Sequence, residues 1–275
     1  MNEHLASLAI KALRGWWRVR GGRRIQAFGH SCWFSADTEF PIRAAMRLPR
    51  KGWSTDIVRY GDAVQFHAAG RYLVESPHPA VVIDVGAHHG IYAVILGKLL
   101  ADRGGTLLAL EPNPEAYAVL KRNIQLNRLE GTVRCEPIAA WSEEGSLPLS
   151  IGNAESHLSL TARAGPMVEV STLRSVIQRN GLQRVDLLLI DVEGAELAVL
   201  AGFPWECTPV GCVFCELHPY AWQGFGYGDR AFQAFLDEHG YRCVDAYLQE
   251  QRAPFGNAYI GPTHLLKTGE SHHGT

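Results

Sequence analysis

From Val81 onward, short unbroken apolar runs alternate with longer stretches whose apolar residues recur at helical spacing. The first run, Val81-Val82-Ile83, ends at an acid, Asp84. A turn with glycines at Gly86 and Gly90 follows, then a helical pattern from Ile91 to Leu100. A second run, Thr106 to Leu110, ends at Glu111. Parallel strands need a crossover, so strand, glycine turn, helix and strand predict a βαβ unit. The glycines let backbone and ligand approach closely, and the helix start offers free N–H groups. An acid closing the second strand is placed to accept both hydroxyls of a ribose, so the unit predicts a nucleoside-like ligand.

The alternation continues. Asn113 is an N-cap with Pro114 at the first helical position, opening a helix through Tyr117, Leu120, Ile124 and Leu126. Val133 to Ala140 reads as the third strand and its exit. Residues 142–170 are polar, with short β signals at 147–150 and 168–170. Ser171 or Thr172 caps a helix over Leu173–Gln178. Val185 to Ile190, the most apolar strand, belongs at the centre of a parallel sheet and ends at Asp191. A short helix to Leu200 precedes the fifth strand, Val210 to Cys215, which leads into Glu216-Leu217-His218. Residues 222–228, rich in glycine and aromatics, read as a mobile loop over the site. Arg230 to His239 is a helix, and Tyr241–Tyr247 and Thr263–Lys267 are the last strands. The class is α/β, a doubly wound Rossmann-like sheet, mostly parallel, with an N-terminal helical and β extension.

That extension reads differently. In residues 1–25, Leu5, Leu8, Ala9, Ala12, Leu13 and Trp16 recur at helical spacing among basic residues. The predicted helix suits either a peripheral membrane contact or packing on the domain's own surface. Ile57–Tyr60 and Ala63–Phe66 flank Gly61-Asp62, a hairpin signal. The expected division is a basic helix and β-extension or lid over 1–75, the main domain over 76–270, and a disordered tail over 271–275.

Composition adds little except its asymmetry. Residues 1–80 hold 12 Lys/Arg against 6 Asp/Glu, and the remainder 14 against 22, within a net charge of -2. The acid-rich part is the part that carries the strand ends. No apolar stretch reaches the ~20 residues of a membrane span, and basic residues interrupt the start, unlike a secretory signal. The six cysteines form no framework. Cys212 and Cys215 lie three apart in a strand and so face opposite ways, which argues against a metal site there. A reduced, cytoplasmic setting follows.

In a doubly wound sheet, ligands bind beyond the carboxyl ends of the strands, where strand order reverses. The reversal lies between the first and fourth strands, which end at Asp84 and Asp191. The second and fifth flank them, ending at Glu111 and at Glu216-Leu217-His218. Buried carboxylates are costly without partners, so this convergence predicts a site. Glu193 and Glu196 stand open between that cleft and pairing with N–H groups at a helix start.

Taken together, Asp84-Val85-Gly86-Ala87-His88-His89-Gly90, Glu111-Pro112-Asn113-Pro114, Asn123-Ile124-Gln125-Leu126-Asn127, Ile190-Asp191-Val192-Glu193-Gly194-Ala195-Glu196 and Glu216-Leu217-His218 resemble the FkbM family of S-adenosylmethionine-dependent methyltransferases. The resemblance covers roughly residues 80–220. It departs where His88 and His89 stand for an asparagine and a hydrophobic residue, and where Arg174 stands for an aspartate. It implies S-adenosylmethionine as cofactor. Asp84, Gly86, Ala87 and Gly90 would line its methionine and ribose side, Glu111 would hold the ribose, and Asn113 and the Ala139–Ser142 exit would flank the adenine. Asp191 would face its positive end.

The implied reaction moves a methyl from sulfonium to a hydroxyl of a sugar, glycan or natural product. Proximity supplies on the order of 7–11 kcal/mol at best, and a base about 10²–10⁴-fold. His218, Asp191 and Glu216 are candidates for that base. His218 is favoured because imidazole titrates near neutrality. No metal is expected, although Asp191, Glu216 and His218 could join one. Two rivals remain: an NAD-linked oxidoreductase, disfavoured by the missing GxGxxG spacing, and a non-catalytic cofactor-binding scaffold. No aromatic–basic platform for nucleic acid is evident.

Overall fold

The computed structural model describes residues 19, 22–38, 69–151, 156–160, 165–245, 250–255 and 261–267. Most of the basic helix, the Gly61-Asp62 hairpin, Tyr247 and the tail at 271–275 lie outside them. The elements in chain order are β1 (Arg23–Ala27), β2 (His30–Phe34), β3 (Val81–Val85), α1 (Ile91–Arg103), β4 (Thr106–Leu110), α2 (Pro114–Leu126), β5 (Val133–Glu136) and β6 (Ala139–Ala140). There follow β7 (Gly145–Ile151), β8 (Ser156–Leu158), β9 (Met167–Ser171), α3 (Leu173–Arg179), β10 (Val185–Ile190), α4 (Glu196–Ala201), β11 (Val210–Leu217), a 3₁₀ turn (Trp222–Phe225), α5 (Asp229–His239), β12 (Tyr241–Asp245), β13 (Glu250–Gln251) and β14 (Gly261–Lys267).

The main sheet has the order β13-β12-β14-β11-β10-β3-β4-β5. β5, β4, β3, β10 and β11 run parallel, whereas β14 enters antiparallel between β11 and β12. The strand order therefore reverses between β3 and β10, as the sequence predicts. Asp84 of β3 pairs in register with Leu189, one residue short of the β10 end.

Both faces of the sheet are covered, because alternate residues of each buried strand point to opposite sides. Ile83, Val85, Leu188 and Ile190 join the core beneath α3, α4 and α5. Val82, Leu187 and Leu189 join the core beneath α1 and α2. Cys212 and Cys215 separate in the same way, one to each core, so they form no metal pair.

The 75/76 boundary is not a break among the described residues. Ile25, Ala27, Cys32 and Phe34 of the β1–β2 hairpin, with Ala69 and Leu73 of the helical residues 69–75, complete the α1/α2 core. Asn123 of α2 and Asn127, which caps its C-terminus, fasten the hairpin. Asn127 accepts from Trp33 N at 2.9 Å and donates to Trp33 O at 2.6 Å, and Asn123 accepts from Ser35 N at 2.8 Å. No described residue ahead of Val85 lines the cavity discussed below, so the described part of the extension is buttress rather than lid.

A second, smaller sheet, β6-β9-β7-β8, departs from the main one. The expected third strand splits to create it: β5 stays beside β4, and Ala139–Ala140 turn away to pair with β9. Trp141, Leu149, Leu158, Val168 and Val170 form its own small core with Ala195.

Candidate functional site

A cavity of about 780 Å³, counted out to its mouth, opens at the carboxyl ends of β3, β4 and β10. Val85, Gly86 and His88 supply one wall, Glu111 and Pro112 another, and Asp191, Val192, Glu193 and Ala195 a third. Ile138, Ala139 and Ala140 form an apolar side, and Leu149, His157 and Leu158 reach in from the small sheet.

The glycine turn is shaped by neighbouring backbone. Gly86 has φ +85°, and a Cβ there would stand 1.8 Å from the carbonyl oxygen of Asp191. Gly90 has φ +76°, opens α1, and has Leu120 where a Cβ would sit. Gly86 lets the β3 and β10 exits lie side by side, and Gly90 lets the start of α1 pack against Leu120 of α2. His88 also adopts positive φ (+47°) and stacks on the buried His89 with ring centroids 3.9 Å apart.

Glu111 is held by this turn. Its Oε2 accepts from His88 N and its Oε1 from Asn113 N, both at 2.7 Å. Each oxygen keeps a lone pair for the cavity. Burial pushes the Glu111 carboxyl up to about 7, and the two N–H donors pull it back. Asp84 stands differently. It shares the α1 face of β3 with Val82 rather than the cavity wall, and it is 4% exposed. Its Oδ2 has no hydrogen-bond partner among the described residues. Burial, then the Glu111 charge, pushes it up to about 7.

Several expected cofactor residues therefore serve from behind the wall. Gly86, Glu111, Ala139 and Asp191 line the cavity; Asp84, Ala87, Gly90 and Asn113 do not. Asn113 turns its side chain to cap α2, accepting from Glu115 N at 2.9 Å. Arg174, where the resemblance departs, pairs outward with Glu206 at 2.5 Å.

The β10 and β11 ends build the second half of the site. His218, 2% exposed, follows β11 directly. Its Nδ1 lies 2.8 Å from Glu196 Oε1. Glu196, fully buried, also accepts from Gly194 N at 2.9 Å and from Trp222 Nε1 at 2.7 Å. A carboxylate only accepts, so Nδ1 carries the proton of that contact. Nε2 faces Glu193 Oε2 at 3.4 Å, Glu216 Oε1 at 3.8 Å and Asp191 Oδ1 at 4.0 Å.

This setting speaks against His218 as the base. Burial alone would lower its pKa, but Glu196, Glu193 and Asp191 outweigh it and raise it to about 9. That shift favours the imidazolium, which lacks the lone pair a base requires. Asp191 lines the cavity with a side chain 49% exposed. Loss of bulk water, then the Glu216 charge, pushes its carboxyl well above the usual carboxylate range, with His218 opposing. Asp191 is thus the expected base candidate that reaches the wall, while Glu216 stands beside it, off the wall.

Glu196 and Glu193 are the residues that sequence reasoning left undecided. Glu196 does meet the N–H of Gly194, and in addition it anchors His218 and Trp222. Glu193 lines the cavity and accepts from Tyr220 Oη at 3.1 Å. The segment expected as a mobile loop is instead the 3₁₀ turn, with Trp222 1% exposed and stacked on Phe232. The EGAE acids before a short helix, and a tryptophan within a glycine-rich loop, were the available signals.

Comparison with known proteins bears on these same residues. Residues 84–243 match the model of the family described as Methyltransferase FkbM domain. Methyltransferase sdnD of Sordaria araneosa is 31% identical over 49% of this chain and 64% of its own length. The 2-O-methyltransferase NoeI of Sinorhizobium fredii is 29% identical over 60% of this chain and 72% of its own. The 31-O-demethyl-FK506 methyltransferase FkbM of Streptomyces tacrolimicus is 30% identical over 54% and 69%. The first of these relatives is thus spanned over less than two thirds of its length. Among the described residues no helix is long and apolar enough to cross a membrane. With the strand order, the Glu111 wall and a family match over more than half its length, the chain belongs to the methyltransferase FkbM domain family.

Proposed function

We propose that the protein transfers a methyl group from S-adenosylmethionine to a hydroxyl oxygen of a sugar, glycan or hydroxylated natural product. The observation that carries this reading is Glu111. Two backbone N–H groups fix its carboxylate at the cavity wall, with lone pairs left for the hydroxyls of a ribose. The rest of the wall fits the same ligand. Ile138, Ala140, Leu149 and Leu158 offer apolar surface to a flat base, and Asp191 offers negative charge to a cationic centre. Two relatives carry names that specify oxygen as the methylated atom, which supports O-methylation here.

S-adenosylmethionine supplies an electrophilic methyl on a sulfonium, so the protein's tasks are positioning and proton removal. Glu111 orients the ribose end. The β3 and β10 exits, kept close by Gly86, set the distance between the two halves of the cavity. The acceptor's proton leaves toward the acids at the β10 and β11 ends, of which Asp191 and Glu193 are on the wall. His218 holds those carboxylates together rather than receiving that proton.

Calorimetric titration with S-adenosylhomocysteine and, separately, with NAD tests the cofactor. Saturable binding of S-adenosylhomocysteine, weakened in Glu111→Ala, is expected. Binding of NAD alone would return the oxidoreductase reading. Incubation with labelled cofactor and pooled glycans or hydroxylated natural products then separates an enzyme from a scaffold.

A further inference from the structure

We propose that Asp191, Glu193 and His218 form a binding site for a divalent first-row transition cation at the edge of the cavity. One donor atom from each lies within 4.8 Å of the others. His218 Nε2 stands 3.4 Å from Glu193 Oε2 and 4.0 Å from Asp191 Oδ1. Donors about 2.0–2.2 Å from a common cation lie roughly 3–4 Å from one another, so small side-chain shifts close the site.

The acids do not stand alone. A histidine 2% exposed enters their midst, and its far nitrogen is committed to Glu196, which is itself fully buried and accepts from Gly194 N and Trp222 Nε1. A carboxylate behind the distal nitrogen of a ligating histidine fixes ring orientation and tautomer, the usual outer arrangement of protein metal sites. Glu193 has its own outer partner in the Tyr220 hydroxyl, at 3.1 Å. The three donors come from neighbouring strand ends on a sheet that is rigid at this point, since Val85 O accepts from Asp191 N at 3.0 Å.

One imidazole with two carboxylates suits manganese or zinc better than the all-oxygen shells of magnesium and calcium. Three protein donors leave coordination positions open, and Asp191 and Glu193 direct them into the cavity. On binding, the cation replaces the proton at Nε2, which is released to solvent. Resting on the proposed methyl transfer, the cation takes the acceptor's hydroxyl oxygen and makes it more acidic. The O–H bond breaks and its proton is released to solvent through the cavity mouth. The oxygen then forms its bond to the methyl carbon as the carbon–sulfur bond of the donor breaks.

The test is Mn²⁺ binding to the full chain, followed by equilibrium dialysis and electron paramagnetic resonance after chelator treatment. His272 and His273 are replaced by alanine in every sample, so the terminal histidine pair does not contribute. Saturable binding of one Mn²⁺ per chain is expected. It should weaken about 10–100-fold in Glu196→Gln, through the outer partner, and more in the Asp191→Asn/Glu193→Gln double variant. Circular dichroism checks that the double variant, altered only at the cavity edge, stays folded. No saturable Mn²⁺, or equal binding by the folded double variant, overturns the site, even where S-adenosylhomocysteine still binds. Mn²⁺ binding without S-adenosylhomocysteine binding keeps the cation site and removes the methyl-transfer reading.

Discussion

The two ends of the cavity solve one problem in different ways. At the β3/β4 end, Asp84 and Glu111 are buried acids without an ion pair among the described residues; Glu111 is steadied by two N–H donors, and Asp84 Oδ2 has no hydrogen-bond partner among those residues. At the β10/β11 end, four carboxylates gather around one histidine, and one of them, Glu196, is buried beneath it. Backbone donors hold a single acid in place for a ligand. A shared imidazole holds several acids together and leaves their outer oxygens facing the cavity. Charge at the first end is costly; charge at the second is offset only in part by one imidazole, and Asp191 still feels the Glu216 carboxylate.

The largest test of that contrast is Glu196→Ala. Breaking a buried charged pair costs about 3–5 kcal/mol, because the remaining partner is stranded. Trp222 Nε1, Gly194 N and His218 Nδ1 would all lose their acceptor. Urea unfolding should show the whole loss, with Glu196→Gln recovering part of it. An unchanged midpoint would mean that this end is held by packing alone.

Asp84→Asn should act in the opposite direction. The folded pKa of about 7 lies above the ordinary aspartate value. A group raised in the folded state favours folding below its unfolded pKa and loses that contribution as pH climbs through the folded one. The wild-type chain therefore pays increasingly for Asp84 between about pH 4 and 7. The asparagine variant should be more stable above pH 7, by at most about 4 kcal/mol, and equal to wild type near pH 3. Thermal unfolding across pH measures the gap; a constant gap would show that Asp84 is not the titrating group.

How much of this was legible in the chain depends on range. The runs at 106–110 and 185–190 gave their strands at the observed limits, and Thr172 caps α3 through Ser175 N at 3.1 Å as its position implied. Those signals are local. The insertion of β14 between β11 and β12 is set by pairing across the sheet, and nothing inside 261–267 encodes it. The small sheet escaped for the same reason: β7 alternates weakly and contains Pro148, and its cavity role depends on where β6 turns away. Site residues divide likewise. Glu111 followed from its place after a strand. The carboxylates around His218 did not, because they include Glu196, 22 residues upstream, and depend on burial that only the fold decides.

Glu111→Gln sharpens the comparison at the ligand level. Amide and carboxylate have the same shape, but the amide NH2 would face His88 N or Asn113 N, so the loss combines the charge with one acceptor. A hydrogen bond to a charged group is worth about 1.5–3 kcal/mol, which predicts roughly 10–100-fold weaker binding of S-adenosylhomocysteine by calorimetry. Fold stability above pH 7 should change little, since relief of a carboxylate that burial disfavours offsets the backbone N–H left without an acceptor. A drop in stability with unchanged affinity would make Glu111 a brace for the glycine turn and nothing more.

Tyr220→Phe carries the smallest expected effect and asks where the rigidity of the acid cluster originates. Tyr220 is 50% exposed, and its hydroxyl reaches Glu193 from the solvent side, whereas Glu196 reaches His218 from the core. An exposed hydrogen bond contributes about 0.5–1.5 kcal/mol at most, and solvent replaces much of it. If the cluster is organised from beneath, the phenylalanine variant should unfold within about 1 kcal/mol of wild type. Its S-adenosylhomocysteine affinity should also be unchanged, because Glu111 lies on the opposite wall. A loss as large as that of Glu196→Ala would reverse the order: the surface tyrosine, and not the buried glutamate, would be setting the position of the acids.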